Sequence, residues 1–142
     1  MTNRLVESDM RFLAAFEACQ FSAGEFRHRD HVRLAYIYLA LYPFETALEK
    51  TEQGLRKLLA HLGAPSSKYH HTVTHAWLLA VQHAMEDAGP TAGFEQFLNA
   101  GGVQLLNPAM MRQHYSSAVL ASDDARQRFV APDLQPFPQH AR

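Results

Sequence analysis

The sequence lacks the features that mark several classes of protein. It has one cysteine, Cys19, in 142 residues, so no internal disulfide can form and a reducing compartment is expected. No apolar run reaches the roughly 18 residues that span a bilayer, and the N-terminal residues show no apolar signal-peptide core. The formal charge of −1 provides no overall attraction to nucleic acid or acidic membranes. These absences predict a cytoplasmic protein that binds neither nucleic acid nor membrane.

Several catalytic signatures are also missing. The chain has no glycine-rich phosphate loop, no G-x-S-x-G nucleophile elbow, and no cysteine paired with a histidine near a helix start. Cys19 lies in an apolar stretch, which favours a buried and inert thiol over a reactive one.

The composition is that of a globular protein, with 47% hydrophobic and 19% charged residues. Apolar residues recur at helical spacing, and no segment alternates in the manner of a half-buried strand. We therefore expect a single all-α domain over residues 1–142, a bundle of about five to seven helices with a proline-rich tail extended over residues 131–142. The residues expected to cap or begin its helices are Ser8 or Asp9, Arg29, Pro43, Ser66 or Ser67, Thr91, Asn107 and Ser122.

The second predicted helix, from about Arg29 to Tyr42, is apolar nearly all round. Such a helix is either buried at the centre of the domain or forms the face of a homodimer. The sequence permits both arrangements.

Five of the nine histidines fall in two short stretches near predicted helix starts. These are His28, His31, His70, His71 and His75. His28 and His31 are three residues apart, and His71 and His75 are four apart, so each pair shares a helix face. That spacing is one way in which a helix offers two metal ligands, although any single histidine at a helix start is more often a satisfied or solvated polar group.

In an antiparallel bundle the starts of the second and fourth helices lie at the same end, because the third helix runs back between them. Four imidazoles, those of His28, His31, His70 and His71, would then converge. When protonated they would repel one another unless they shared a cation, which predicts a divalent transition metal. Imidazole ligands do not distinguish zinc, iron, copper and nickel.

Aromatic residues lie near the same predicted end of the bundle. The hydroxyl of Tyr38, two helical turns after His31, can reach the same cavity and is a catalytic candidate. Tyr69, His75 and Trp77 are expected to line a substrate pocket, with core packing as the alternative for each aromatic ring.

The sequence also resembles a group of small, uncharacterised all-helical bacterial proteins. The resemblance covers nearly the whole chain in order. It is carried by the motifs F-x-H-x-x-H-V-R-x-A-x-x-Y-L (26–39), K-Y-H-x-T-x-T (68–74), Y-S (115–116) and A-R-x-x-F-V-x-P-D-L (125–134).

The resemblance implies that His28, His31 and His70 are the functional histidines. The position after the last of them is usually glutamate in that group, and His71 stands there in this chain. The substitution puts any role of a carboxylate in doubt. His75 matches no histidine of the motif, so the resemblance makes it a weaker candidate than its helical spacing does.

These observations lead to a hypothesis of a small metal-dependent enzyme that acts on a small organic substrate. His28, His31 and His70 would hold the ion, and His71 would be a fourth ligand or the general base. One alternative is a metal-free enzyme that uses histidines as acid and base, and another is a non-catalytic helical binding module. Whether His75 or His114 joins the site is left open.

Overall fold

A computed structural model describes residues 3–137. These residues form seven α-helices and three 3-10 helices, with no β-structure beyond one bridge between Arg4 and Ala92. The α-helices are α1 (Glu7–Glu17), α2 (His28–Leu41), α3 (Phe44–His61), α4 (His71–Ala88), α5 (Phe94–Asn99), α6 (Ser117–Leu120) and α7 (Asp123–Gln127). The 3-10 helices are Ser66–Lys68, Gly102–Leu106 and Pro108–Gln113. The predicted all-α class is confirmed.

Two of the predicted helix caps are present. The side chain of Asn107 accepts a hydrogen bond from the backbone N–H of Ala109, and that of Ser122 accepts one from Ala125. The segment after Asn107 forms a 3-10 helix rather than an α-helix.

Three other predicted starts are wrong. Helix α1 begins at Glu7 after Val6, so neither Ser8 nor Asp9 is its N-cap. The serines before α4 belong to the separate 3-10 turn Ser66–Lys68, and the residue that caps α4 is His70. Helix α5 begins at Phe94 rather than at Thr91, after Gly93 with φ 95°. In the left-handed region glycine is favoured because it has no Cβ to clash with the backbone.

Helix α2 is the buried centre of the domain. It packs against α1, α3, α4 and α5, and six of its fourteen residues are buried. These are Val32, Leu34, Ala35, Tyr36, Ile37 and Tyr38. Of the two arrangements that its composition permits, the structure shows the central one. No helix within residues 3–137 is long and apolar enough to cross a membrane.

A buried ion pair fixes α1, α2 and α5 to one another. The carboxylate of Asp9, 1% exposed, accepts hydrogen bonds from Nε and Nη2 of Arg33 at 3.1 and 2.9 Å. It also accepts one from the backbone N–H of Phe94 at 3.1 Å and one from Val6 at 3.4 Å. The guanidinium lies 4.9 Å from the ring centroid of Phe12. One carboxylate therefore satisfies groups from three helices.

The C-terminal segment is bound to α4. The Thr72 hydroxyl donates to the carbonyl of Arg128 at 2.8 Å and accepts from the N–H of Val130 at 3.1 Å. The Tyr115 hydroxyl donates to the Val130 carbonyl at 2.6 Å. Two of the motif segments, 115–116 and 125–134, therefore meet in the structure through hydrogen bonds.

The first part of the predicted tail has no helix or strand and lies along the 3-10 helix Pro108–Gln113. The backbone N–H groups of Leu134 and Gln135 donate to the carbonyls of His114 and Gln113, at 3.0 and 3.2 Å. The rest of the predicted tail, 138–142, lies outside the described residues.

We expect Asp9→Ala to lower the free energy of unfolding by about 3 kcal/mol, because it leaves Arg33 without its partner and the N–H of Phe94 unsatisfied. Chemical denaturation would measure the change. Glu7→Ala is the matched control, because Glu7 is 83% exposed and pairs only with exposed Arg11, and it should change the value by less than about 0.5 kcal/mol. Equal effects of the two substitutions would contradict the role assigned to Asp9.

Candidate functional site

A cavity of about 580 Å³ lies at the end of the bundle where α2 and α4 begin. It is bounded by the first turns of α2, the second half of α3, the first half of α4 and the 3-10 helix Pro108–Gln113. Most of its wall is apolar, with contributions from Leu55, Leu58, Leu62, Val73, Leu78 and Met111. Its size is within the range of pockets that bind small molecules.

The structure brings three of the predicted histidines to this cavity. His28 and His31 line it from α2, and His70 lines it from the N-cap of α4. Tyr69 and Trp77, both predicted to line the substrate pocket, also line the cavity. Histidines some forty residues apart along the chain therefore face one space.

His31 presents its ring to the cavity. The residue is exposed to solvent and lines the cavity, and Phe26 lies edge-on to its ring at 4.6 Å between ring centroids. The pKa of His31 is lowered to about 4, chiefly because the confined position removes solvation from the charged ring. The proximity of His28 lowers the pKa as well, and Asp30 opposes the change. His31 is therefore a neutral imidazole near pH 7.

His28 is anchored at one ring nitrogen. Its Nε2 lies 2.9 Å from the carbonyl oxygen of Leu105, so the neutral ring carries its proton on Nε2 and donates it there. The ring also lies edge-on to Trp77 at 4.5 Å between centroids. Nδ1 of His28 is then a hydrogen-bond acceptor.

His70 uses both ring nitrogens to hold the fold. Nδ1 accepts a hydrogen bond from the backbone N–H of Val73 at 3.2 Å and so caps α4. Nε2 lies 2.7 Å from the carbonyl oxygen of Leu120 and donates to it. His70 therefore joins the start of α4 to the end of α6, although its ring also forms part of the cavity wall.

His71 lies outside the cavity and faces α3. Its Nδ1 is 3.3 Å from the Tyr69 hydroxyl and 3.6 Å from a carboxylate oxygen of Glu52. Glu52 also accepts a hydrogen bond from Arg56 at 3.0 Å, and the Arg56 guanidinium lies over the Tyr69 ring. The predicted role of His71 as base or fourth ligand would place it in the cavity, and the structure places it in this polar group behind the cavity wall.

Tyr38 and His75 also lie away from the cavity. The Tyr38 hydroxyl donates to Glu17 at 2.9 Å, on the side of α2 that faces α1. Tyr38 starts from nearly the same face of α2 as His31 but lies about 10 Å farther along the helix axis. The last residue of α2 in the cavity wall is Ala35, so Tyr38 lies past the end of the cavity. The ring of His75 stacks on Phe129 at 3.9 Å, and its buried Nδ1 has no hydrogen-bond partner within residues 3–137. The prediction that these two residues line the pocket is therefore wrong.

His114 does not join the site. Its Nδ1 lies 2.7 Å from the carbonyl oxygen of Gln135, and its ring stacks on Phe137 at 4.2 Å. It faces a different cavity, between α4 and the C-terminal segment.

The predicted donor set does not fit a metal in the arrangement seen. Within residues 3–137, no group of three or more His, Cys, Asp or Glu side chains is placed to hold an ion. His70 has no nitrogen left to coordinate, since both are hydrogen-bonded, and His28 has one. Binding through His28, His31 and His70 would first require the cap of α4 to break. The metal stays a prediction.

Two cationic residues of the cavity wall were missed by sequence reasoning. Lys68 and Arg112 are exposed and line the cavity, the first just before Tyr69 and the second from the 3-10 helix Pro108–Gln113. Lys68 precedes Tyr69 and His70 in the sequence, so its position next to the second histidine stretch could have indicated that it lines the same cavity. Arg112 is brought to the cavity only by the tertiary fold.

Comparison of the chain with protein-family models, with curated proteins and with solved structures found no match. The resemblance to a group of bacterial proteins, carried by the four motif segments, therefore stays a prediction.

We expect His75→Phe to stabilise the protein, by about 1 kcal/mol near pH 7, because it removes an unsatisfied buried nitrogen and retains the stacking on Phe129. The gain should grow as the pH falls. Burial and the nearby His71 lower the pKa of folded His75 from 6.5 to about 4, so between these values the unfolded chain binds more protons and wild-type stability falls.

Denaturation of both proteins from about pH 7 to pH 5 would measure the difference. His61→Phe, an exposed position at the end of α3, is the control. A difference between wild type and His75→Phe that is constant with pH would contradict the neutral state assigned to His75.

Proposed function

We propose that the protein binds a small, largely apolar organic molecule in the cavity and acts on it by proton transfer, with His31 as the base. The observation that carries this proposal is a neutral imidazole exposed to an otherwise mainly apolar cavity that is open to solvent. Apolar pockets with a few convergent polar groups are the usual form of small-molecule sites.

His31 suits this role better than the other histidines. Neither ring nitrogen is hydrogen-bonded to another of the described residues, so the ring is free to take a proton. His70 is committed to backbone groups at both nitrogens, and His28 has only Nδ1 as an acceptor. His28 is then a second acceptor beside the base, and Trp77 holds the ring of His28 in place.

A pKa of about 4 keeps His31 unprotonated but also makes it a weak base in the empty cavity. A negatively charged group on a bound molecule would favour the imidazolium and raise the pKa toward neutrality. The base would therefore be strengthened by the substrate itself.

The reaction can be tested with 5-nitrobenzisoxazole, an uncharged aromatic probe that opens when a base removes its ring C–H proton as the N–O bond breaks. The coloured phenolate that forms is measured by absorbance. We expect catalysis above that of buffer, and a loss of about tenfold or more in His31→Gln. The rate should rise with pH through about 4 and then stay level, because only the neutral ring accepts a proton.

His61→Gln serves as the matched control, since His61 is exposed and lies outside the cavity. Circular dichroism would show that both variants fold. An unchanged rate in His31→Gln would refute the role of this histidine. Binding of the probe without any catalysis would favour the non-catalytic module instead.

A separate test distinguishes metal-free catalysis from catalysis that depends on a metal ion. Because His70 is committed to the cap of α4, we expect the rate with the probe to be unchanged by a chelator, and protein purified without a histidine tag to hold less than one transition metal ion per chain. Elemental analysis would measure the content. A rate that is lost on chelation and restored by zinc, iron, copper or nickel would favour the metal-dependent enzyme.

A further inference from the structure

The charged side chains of the cavity wall all carry one sign. Lys68 and Arg112 line it, together with the three imidazoles, and no carboxylate lines it among the described residues. The chain as a whole has a formal charge of −1, so this excess of positive charge is local to the cavity. A ligand that complements the wall is therefore anionic at one end.

The two cations are placed to meet a ligand rather than the protein. Both are exposed, and neither side chain forms a hydrogen bond or ion pair with another of residues 3–137. By contrast, five arginines pair with carboxylates, namely Arg11, Arg29, Arg33, Arg56 and Arg128. Ser22 lines the cavity, and Glu25 follows it three residues later. The carboxylate of Glu25 accepts hydrogen bonds from the backbone N–H and the hydroxyl of Ser22. That carboxylate is therefore already bonded within its own loop.

The positions of the charged and apolar side chains determine the orientation in which a ligand would bind. Lys68 and Arg112 are exposed residues and mark the mouth, while Leu55, Leu58 and Leu78 are buried and mark the interior. An anionic group would stay in water at the mouth, where its desolvation is small, and an apolar body would enter the interior.

We propose, on the basis of the proposed function, that the substrates of this cavity are small carboxylic acids with an apolar body, held by Lys68 and Arg112 through the carboxylate. A carboxylate suits this wall, since a planar guanidinium can bind it through two parallel N–H bonds and a lysine ammonium supplies a further donor. The apolar body then lies against the leucines and Trp77.

Trp77, the one tryptophan of the chain, lies in the cavity wall and reports binding through its fluorescence. The experiment titrates the protein with octanoate, octanamide and octylamine, which share one apolar body and differ in charge. We expect octanoate to bind about tenfold more tightly than octanamide, with a preference that weakens as salt is added. 3-Phenylpropanoate should show the same preference over its amide, which would extend the result from alkyl to aromatic acids.

The double variant Lys68→Met/Arg112→Met should bind octanoate and octanamide equally. The matched control is Lys50→Met/Arg11→Met, which removes the same charges from positions outside the cavity and should retain the preference. If both double variants lost the preference for octanoate over octanamide, the preference would depend on the net charge of the protein rather than on Lys68 and Arg112, and the proposal would be overturned.

Different results would refute the choice of carboxylic acids and the proposed function. Equal or tighter binding of octanamide or octylamine by the wild-type protein would overturn the choice of acids, and the cavity would still be a site for small molecules. If none of the compounds changed Trp77 fluorescence or competed with 5-nitrobenzisoxazole, the proposed function itself would fail. Thermal denaturation of each variant would confirm that the fold is retained.

Discussion

Helix α2 is buried through its middle, where six of the seven residues from Val32 to Tyr38 are buried, so the polar side chains of its first turn lie where the packing around the helix ends. Val32, Leu34 and Ala35 follow directly after His31 and are buried against neighbouring helices. The packing of α3 and α4 around this helix leaves the cavity at its N-terminal end. The position of the site is therefore a consequence of how the core is filled.

The buried pair of Asp9 and Arg33 secures that arrangement. Arg33 belongs to the same helix as His31, and its guanidinium is fixed to α1 and to the start of α5 through one carboxylate. A buried carboxylate left without these partners would be strongly unfavourable. The pair thus opposes rotation of α2 about its axis, and rotation would turn His28 and His31 away from the cavity.

Two histidines of the cavity wall, His70 and His31, differ in whether their ring nitrogens are hydrogen-bonded. The ring of His70 is held at both nitrogens by backbone groups, which orients it and removes it from chemistry. His31 has an open ring in a confined place, which keeps it neutral and accessible. Two residues of the same type, one from each motif, thus line one cavity with different roles. The difference depends on whether a helix N-terminus needs a cap, as α4 does.

Much of the fold could be predicted from the sequence, because helical periodicity, the prolines and the Asn107 and Ser122 caps are local signals. The meeting of His28, His31 and His70 followed from the antiparallel order of the helices. Tyr38 could not be placed in the same way, because its spacing from His31 predicts a shared helix face but not how far the cavity extends along α2, which ends at Ala35. His71 and His75 share a face of α4, and that face packs toward α3 and Phe129 rather than the cavity.

The sequence by itself determined the helical class and the two histidine stretches at the starts of helices that face the same end. Only the tertiary structure decided which ring nitrogens are free, that Arg112 and Lys68 both line the cavity, and that Asp9 binds Arg33. Periodicity and capping act between residues close in the chain, whereas these contacts join residues far apart in it. Such contacts depend on the angles at which helices pack, which no local pattern encodes.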